Sequence, residues 1–121
     1  MRQRLDEAIA QFSDGTLSIT TQFIGPLSVI DGVLADHAEA VVREAVSNAV
    51  RHAHASTLTV TVKVDDELSI DVADNGRGIS ERTKSSGLTN MHYRAQQAGG
   101  IFTIDTPATG GTMLRWTAPL P

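Results

Sequence analysis

The sequence predicts an α+β fold, a two-layer sandwich in which a mixed, largely antiparallel sheet of about five strands carries helices on one face. Three observations lead to this prediction. The chain has 121 residues, about one domain's worth of sequence, so residues 1–121 are expected to form a single domain. One long segment has the apolar spacing of an amphipathic helix. Several short segments alternate between apolar and polar residues, as strands do.

The helices are predicted from apolar residues that recur every three or four positions. This spacing gives a first helix over residues 2–12, a long helix over 34–54 and a third over 88–98, the last closed by Gly99-Gly100. The long helix has one continuous apolar stripe, which needs a sheet to cover it. The stripe consists of Ala38, Val41, Val42, Ala45, Val46, Ala49 and Val50.

The strands are predicted from a two-residue alternation of apolar and polar side chains. Gly25-Pro26 stops the first of them, which is half-buried by its pattern. Asp65-Asp66 is expected to be the hairpin turn between the second and third strands, which makes these two antiparallel neighbours. The predicted strands cover residues 17–23, 57–64, 67–72, 101–106 and 112–117.

Composition excludes several classes of function. The net charge of −4 argues against nucleic acid as the main partner, since proteins that bind it usually display a basic face. The chain has no cysteine and can form neither disulfides nor thiolate metal sites, which fits a cytoplasmic location. Its apolar stretches fall short of the roughly 18 residues that a membrane helix needs. We therefore expect no membrane contact from this domain, and any membrane segment would lie elsewhere in a longer protein.

Asp74 is the clearest anomaly in the predicted sheet, because a carboxylate extends the inward row of Ile70 and Val72. Burying it costs several kcal/mol unless donors meet it, so it needs a partner such as a ligand amino group or an ordered water. The glycines of Asn75-Gly76-Arg77-Gly78 then allow close backbone approach to a ligand. The alternative is that Asp74 merely caps the turn at the end of a strand.

A second anomaly lies on the long helix, where Glu44, Asn48 and Arg51 form a polar stripe beside the apolar one. A carboxylate, an amide oxygen and a guanidinium aligned in this way can serve as a base or water ligand, a Mg²⁺ ligand and a phosphate clamp. The alternative is a solvated flank, in which Glu44 and Arg51 make surface charge contacts.

Two further segments have the composition of ligand loops. Residues 85–90 are small and polar and run into a helix, whose first-turn amides are free to hold an anion. The alternative there is an ordinary Ser-capped helix start. Gly110-Gly111-Thr112 opens the last strand with the Thr112 hydroxyl pointing inward, where Asp74 is its expected partner.

Together these features resemble the ATP-binding domain of the gyrase, Hsp90, histidine kinase and MutL superfamily, whose architecture is the Bergerat ATP-binding fold. Residues 43–53 look like its N box, 74–78 like its G1 box and 110–112 like its closing Gly-Thr motif. Residues 87–100 are similar to the kinases that pair with NarL-type response regulators. The ending at 114–119 resembles the actinobacterial DevS/DosT-type kinases.

The resemblance implies a role for each matching residue. Asp74 would accept a hydrogen bond from the adenine amino group, assisted by Thr112 through a water. Asn48 would hold Mg²⁺, and Glu44 would lie near that metal as a ligand partner or as a base.

The resemblance also implies how the phosphates are held. Arg51 or His52 would approach them from the N-box helix. Gly76 and Gly78 would start a flexible lid, and Gly87 with Leu88 would close over the phosphates through backbone amides. The lid is short, because only Ile79 to Ser86 separate the glycine motifs, and Ile79 is counted among the nucleotide-binding positions.

The implied chemistry is transfer of the ATP γ-phosphoryl group to a histidine. None of the four histidines, His37, His52, His54 and His92, has a recognisable acceptor context, and His92 is expected to pack against the core. The implied partners are therefore a separate dimerisation and acceptor domain of the same kinase and a downstream NarL-type response regulator. Family dimers form through the acceptor helices, so this fragment is expected to be monomeric.

Three alternatives remain open on the sequence. An ATP-gated ATPase of the gyrase or chaperone type shares the pocket but usually needs an adjoining transducer domain. An anti-sigma serine kinase has a similar size and would phosphorylate a serine on its antagonist. An α+β interaction domain without ligand would use Asp74 for stability alone.

Overall fold

The computed structural model describes residues 2–12, 18–30, 32–50, 56–76, 86–106 and 110–120. The helices in these ranges are α1 (Arg2–Ala10), α2 (Gly32–Asn48) and α3 (Ser86–Ala98), with a short 3₁₀ turn at Leu27–Val29. The strands are β1 (Ser18–Ile24), β2 (Thr57–Val64), β3 (Glu67–Asp74), β4 (Ile101–Asp105) and β5 (Thr112–Pro119). The predicted α+β class is confirmed.

The five strands form one mixed sheet in the order β1-β2-β3-β5-β4. β1 pairs parallel to β2, and the other three pairings are antiparallel. The predicted hairpin is confirmed, with Val64 opposite Leu68 across the turn. β3 lies at the centre of the sheet, so its last residue, Asp74, has neighbours on both sides: Leu58 on β2 and Thr112 on β5.

The core lies between the sheet and the helices on one of its faces. α2 packs against β3 and α3, and α1 packs against α2. Trp116 of β5 is fully buried beneath α3, and its Nε1–H donates to the backbone carbonyl of Met91 at 3.1 Å. The apolar stripe predicted on the long helix is buried over Ala38–Val46 and at Ala49, as a two-layer sandwich requires, whereas its last predicted member, Val50, is 38% exposed.

α3 ends as its two glycines predict. Gly99 has φ +76°, and the N–H groups of Gly99 and Gly100 donate to the carbonyls of Gln96 and Ala95 at 3.2 and 2.8 Å. This is the Schellman arrangement, which satisfies carbonyls left free at a helix end. A side chain at Gly100 would overlap the backbone of Thr117, so the glycine also permits α3 to pass close to β5.

One expectation about the helices is wrong, and another extends beyond the described residues. The apolar pattern extends the long helix to residue 54, but the α-helix ends at Asn48, and Ala49 and Val50 have π-helical geometry. Residues 51–55 lie outside the described residues. His92 is exposed instead of packed, because it lies beside Phe102 at the open edge of α3, with ring centroids 6.5 Å apart. Across the described residues, the helices lack the combination of length and apolarity that crossing a membrane requires.

Candidate functional site

Asp74 ends β3 at one corner of the sheet and is partly buried there. Its carboxylate accepts hydrogen bonds from the backbone N–H of Gly76, 2.8 Å from Oδ1, and from the backbone N–H of Thr112. Burial raises the pKa of Asp74 above its ordinary value, and the two backbone hydrogen bonds act in the opposite direction. A carboxylate with incomplete solvation is a strong acceptor for an N–H group of a ligand.

Thr112 faces the helix layer and is only 3% exposed. The expectation that its hydroxyl bonds to Asp74 is wrong, because the in-register pairing of the two residues lets the backbone N–H of Thr112 make the contact instead. Among the described residues its buried Oγ1 has no hydrogen-bond partner. Such an orphaned hydroxyl costs about 1–3 kcal/mol unless a water or ligand meets it.

Gly110 and Gly111 fold back onto the turn that follows Asp74. Both have positive φ angles, +96° and +86°, which residues with a side chain rarely adopt. A Cβ at Gly111 would overlap the carbonyl oxygen of Asp74, whereas a Cβ at Gly110 would have Gly76 O as its nearest neighbour at 3.8 Å. The two predicted glycine motifs therefore meet at one corner of the sheet, as far as the structure describes them.

The end of α2 supplies a second group of polar atoms. Glu44 and Asn48 lie one helical turn apart and are both partly buried. The buried Nδ2 of Asn48 and the buried Oγ of Ser47 find no hydrogen-bond partner in the described part of the chain. Their unmet hydrogen-bonding capacity is what a site waiting for a polar ligand would have. Arg51 and His52, predicted to follow on this edge, lie outside the described residues.

Glu44 also borders a cavity of about 280 Å³ between α2 and α3. Its walls combine carboxylate and guanidinium groups with the apolar side chains of Ala40 and Met91, so the cavity is of mixed polarity. The other lining residues are Asp36, Glu39, Ala40, Arg43, Asn90, Met91 and Arg94.

The predicted phosphate loop is only partly described. Gly78 and Ile79 lie outside the described residues. Gly87 and Leu88 belong to the first turn of α3, which begins at Ser86, and Leu88 packs against the core. Backbone N–H groups in a first helical turn have no partner within the helix, and anion binding by this turn stays a prediction.

A divalent metal at the end of α2 would need further ligands from a bound molecule. The described residues contain no group of three or more His, Cys, Asp or Glu side chains that could hold a metal ion. Mg²⁺ usually takes one or two protein oxygen ligands and completes its shell with substrate phosphates and water. The Asn48 amide oxygen and the Glu44 carboxylate fit that donor set, provided that phosphates supply the rest.

Two residues of the site, Asn75 and Ser47, are not predicted individually from the sequence. Asn75 makes three side-chain hydrogen bonds to Ser56 and Thr57. An Asn-Gly pair after a strand is ordinary turn chemistry, which hid this role. Ser47 is buried and unpartnered among the described residues, and a small polar residue inside an apolar helix stripe was the available signal.

The fold is that of solved histidine kinase domains. The ATP binding domain of PrrB from Mycobacterium tuberculosis aligns with a TM-score of 0.72 and 23% identity, over 98% of this chain and 93% of that one. The histidine kinase domain of the blue-light activated histidine kinase from Erythrobacter litoralis EL346 gives 0.70 and 21%, over 96% and 57%. At these identities the likeness establishes the fold class.

Sequence comparison identifies the family. The model described as Histidine kinase-, DNA gyrase B-, and HSP90-like ATPase matches residues 34–121, and the chain belongs to this family. The nitrate/nitrite sensor protein NarQ of Escherichia coli (strain K12) is 35% identical over 94 residues, covering 74% of this chain and 17% of NarQ. The sensor protein VraS of Staphylococcus aureus (strain COL) is 37% identical over 89 residues, covering 70% and 26%.

The chain therefore spans 17% and 26% of the lengths of these two relatives. The family resemblance read from the N box, the G1 box and the closing Gly-Thr motif is confirmed. The chain is a catalytic ATP-binding domain of the sensor histidine kinase class, and the match to NarQ agrees with the resemblance to NarL-associated kinases. The further likeness to DevS/DosT-type kinases stays a prediction.

Proposed function

We propose that this chain binds Mg-ATP and donates the γ-phosphoryl group to a histidine on a separate dimerisation and acceptor domain of the same kinase. The observation that supports this most directly is the pairing of Asp74 with Thr112. It puts a partly buried carboxylate beside a buried hydroxyl that has no partner among the described residues. A ligand that donates to the first and, through a water, engages the second would relieve both.

Adenine has the chemistry that Asp74 selects. A carboxylate without its proton only accepts hydrogen bonds, so it favours a base that presents an amino group. Adenine presents its N6 amino group, whereas guanine presents the O6 carbonyl at the same position. Two acceptors facing each other at a partly buried site are repelled, which discriminates strongly against GTP.

The phosphate end of the ligand would be held by three parts of the chain. Asn48 and Glu44 would coordinate Mg²⁺, which when bound neutralises charge on the phosphates. Arg51 or His52 would contact the phosphates from the same segment. Gly76, Gly78 and Ile79 would form the start of the lid, and the first-turn amides at Gly87 and Leu88 would cap the phosphates.

The phosphoryl acceptor is proposed to lie in another domain. His37 is 7% exposed and packs near Trp116, so its ring is closed to an attacking position at the nucleotide. His92 is exposed but lies in α3 beside Phe102, with Gln96 Nε2 3.3 Å from its Nε2. After transfer, the phosphoryl group would pass to a NarL-type response regulator. We propose that this chemistry occurs in the cytoplasm, where ATP is supplied.

Calorimetric titration of the chain with ATP tests the nucleotide site. We expect saturable binding that strengthens with Mg²⁺, is weaker by at least about tenfold for GTP, and is lost in Asp74→Ala. Asp71→Ala is the matched control, because Asp71 lies on the same strand, faces the opposite side of the sheet and pairs with Arg115 at 3.3 Å. Equal losses in both variants would contradict the assignment.

Transfer is tested separately with radiolabelled ATP. The chain alone should not label itself, and adding a purified acceptor domain should produce acid-labile phosphohistidine. Labelling of a serine on an antagonist protein would instead support a serine kinase, and steady hydrolysis without any acceptor would support an ATP-gated ATPase.

A further inference from the structure

We propose that Asn75 is a positioning residue for nucleotide recognition, acting by fixing the direction of the neighbouring Asp74 carboxylate. The inference rests on the proposed function, in which Asp74 binds the adenine amino group. The role is argued from the contacts that the Asn75 side chain makes in this chain.

The Asn75 side chain uses both ends of its amide. Oδ1 accepts from the backbone N–H groups of Ser56 and Thr57, both at 2.9 Å, and Nδ2 donates to Ser56 Oγ at 2.8 Å. The backbone N–H of Asn75 also donates to the carbonyl of Thr57 at 3.3 Å. We call this set of contacts among Asn75, Ser56 and Thr57 the Asn75 clamp.

The Asn75 clamp joins three strands at the corner of the sheet that carries the site. Ser56 and Thr57 lie at the start of β2, and Asn75 follows the end of β3. The carbonyl of Ser56 also accepts from Ser18 N at 2.9 Å, which brings in the start of β1. The turn after Asp74 is therefore held on the β2 side through side-chain contacts that a regular strand pairing would not provide.

The clamp acts on Asp74 through the next residue of the turn. Gly76 N–H donates to Asp74 Oδ1 at 2.8 Å, so the orientation of the carboxylate depends on where Gly76 lies. Asn75 is the link between these two residues, and fixing it on Ser56 and Thr57 limits how far the turn can rotate. On the other side, Thr112 fixes Asp74 through its backbone N–H. Without the clamp, the turn after Asp74 would lose the side-chain contacts that hold it on the β2 side.

Fixing the Asp74 carboxylate in advance should raise the affinity for ATP, because a ligand that binds a mobile acceptor loses free energy in ordering it. We expect Asn75→Ala to weaken ATP binding about tenfold, the effect of losing roughly one to two net hydrogen bonds. Asn75→Asp should recover most of the affinity, because a carboxylate can accept from both backbone amides and from the Ser56 hydroxyl. Ser56→Ala, which removes one contact, should cost about two- to threefold.

The experiment is calorimetric titration with Mg-ATP well below the melting temperature, which is recorded for every variant. Gln22→Ala is the control, since it truncates an exposed amide on β1 away from the clamp. If Asn75 acts through Asp74, adding Asn75→Ala to the Asp74→Asn variant should weaken Mg-ATP binding by less than about twofold further. A purely structural residue would lower the melting temperature of Asn75→Ala and leave its affinity unchanged, which would overturn the inference.

The outcomes separate this inference from the proposed function. If the wild-type chain fails to bind Mg-ATP, both fall together. If the wild type binds and Asn75→Ala binds equally well, or if its loss is fully additive with Asp74→Asn, only the role of Asn75 is overturned. If Asn75→Ala does not fold, Ser56→Ala and Asn75→Asp are used in its place. A Ser56→Ala variant that binds Mg-ATP as tightly as wild type then overturns the positioning role of Asn75.

Discussion

The charged carboxylate of Asp74 loses solvation by being partly buried, which lowers the stability of the fold. Its carboxylate is partly buried, and burial disfavours the charged form, which raises the pKa of Asp74. The N–H groups of Gly76 and Thr112 compensate in part. A residue that opposes stability where it stands is typical of functional sites, where the ligand supplies the missing interaction.

Asp74→Asn should therefore be more stable than wild type at neutral pH while binding ATP poorly. The folded-state pKa is raised, so the folded state holds its proton to higher pH than the unfolded state, and wild-type stability falls as pH rises above the ordinary value of 3.8. Thermal melts between pH 3 and pH 7 test this expectation, using about 0.5 °C as the smallest meaningful difference. The gap between variant and wild type should close towards acid.

The matched control for this prediction is Asp71→Asn on the exposed face of the same strand. It removes the ion pair with Arg115, which is a surface pair worth little, so its melting temperature should stay close to that of wild type or fall slightly. A melting temperature for Asp74→Asn below that of wild type at pH 7 would mean that the carboxylate supports the fold, and would count against the ligand role.

For single residues, the sequence predicts which side chains belong to the site more reliably than it predicts their hydrogen-bond partners. Asp74 and Thr112 are predictable because each puts a polar group on an inward row of apolar residues. The actual bond between them, backbone to carboxylate, depends on strand register, which alternation does not define. The contacts of Asn75 were not predictable for the same reason, since they join segments nearly twenty positions apart.

Among the elements, the junction of α2, α3 and β5 is held by one buried histidine. His37 Nδ1 lies 3.1 Å from Arg94 Nη1, and its ring lies 6.4 Å from that of Trp116. Burial lowers the pKa of His37, with the charge of Arg94 acting in the same direction and Asp36 against it. The ring is therefore held neutral, with Nδ1 accepting from the guanidinium.

This junction should weaken in mild acid. The pKa of His37 is lowered in the folded state, so its contribution to stability is present above the unfolded value of 6.5 and is lost as pH falls through the folded value. One such group contributes at most about 1.4 kcal/mol per pH unit. Urea unfolding of wild type between pH 7.5 and pH 5.5 should reveal the loss, measured in steps of about 0.5 unit.

His37→Asn should remove that pH dependence, because the Asn oxygen can still accept from Arg94 but does not titrate. His92→Asn serves as the control, since it makes the same substitution at an exposed position of α3. If His37→Asn keeps the wild-type slope, the acid sensitivity originates in other groups.

Element boundaries show where periodicity stops being informative. The apolar stripe of α2 continues through Ala49 and Val50, yet the α-helical hydrogen bonding ends at Asn48. A π turn changes the hydrogen-bond register, so a side chain that the α-helical period places on the buried face can reach solvent, as Val50 does at 38% exposure. By contrast, the glycines at 99 and 100 correctly marked the end of α3, because positive φ is a direct backbone requirement.

For the whole molecule, alternation predicted the number of strands but not their order. The central position of β3 and the parallel pairing of β1 with β2 depend on long-range contacts. The resemblance to the family anticipated what the pattern could not, since it brought the N-box helix and the two glycine motifs to a common site. The structure joins the glycine motifs through Asp74, Gly76 and Gly111.

A nucleotide bound at this site would touch both layers, because its proposed contacts come from α2, β3 and β5. It should therefore stabilise the whole domain rather than one loop. A ligand that binds only the folded state adds about 2.7 kcal/mol at 100 times its dissociation constant, which for a domain of this size is a rise of about 10 °C in melting temperature. Melting with increasing Mg-ATP should follow that logarithmic dependence.

Melting with Mg-GTP is the control that separates recognition of the adenine base from binding by the triphosphate charge alone. The two nucleotides carry the same triphosphate, so binding by charge alone would raise the melting temperature equally, and a shared rise would refute base selection by Asp74. Selection through the adenine amino group instead predicts a clear rise with Mg-ATP, little with Mg-GTP, and none with either in Asp74→Ala. Because the net charge is −4, the rise with Mg-ATP would have to originate in local donors and bound metal, as the proposed site requires.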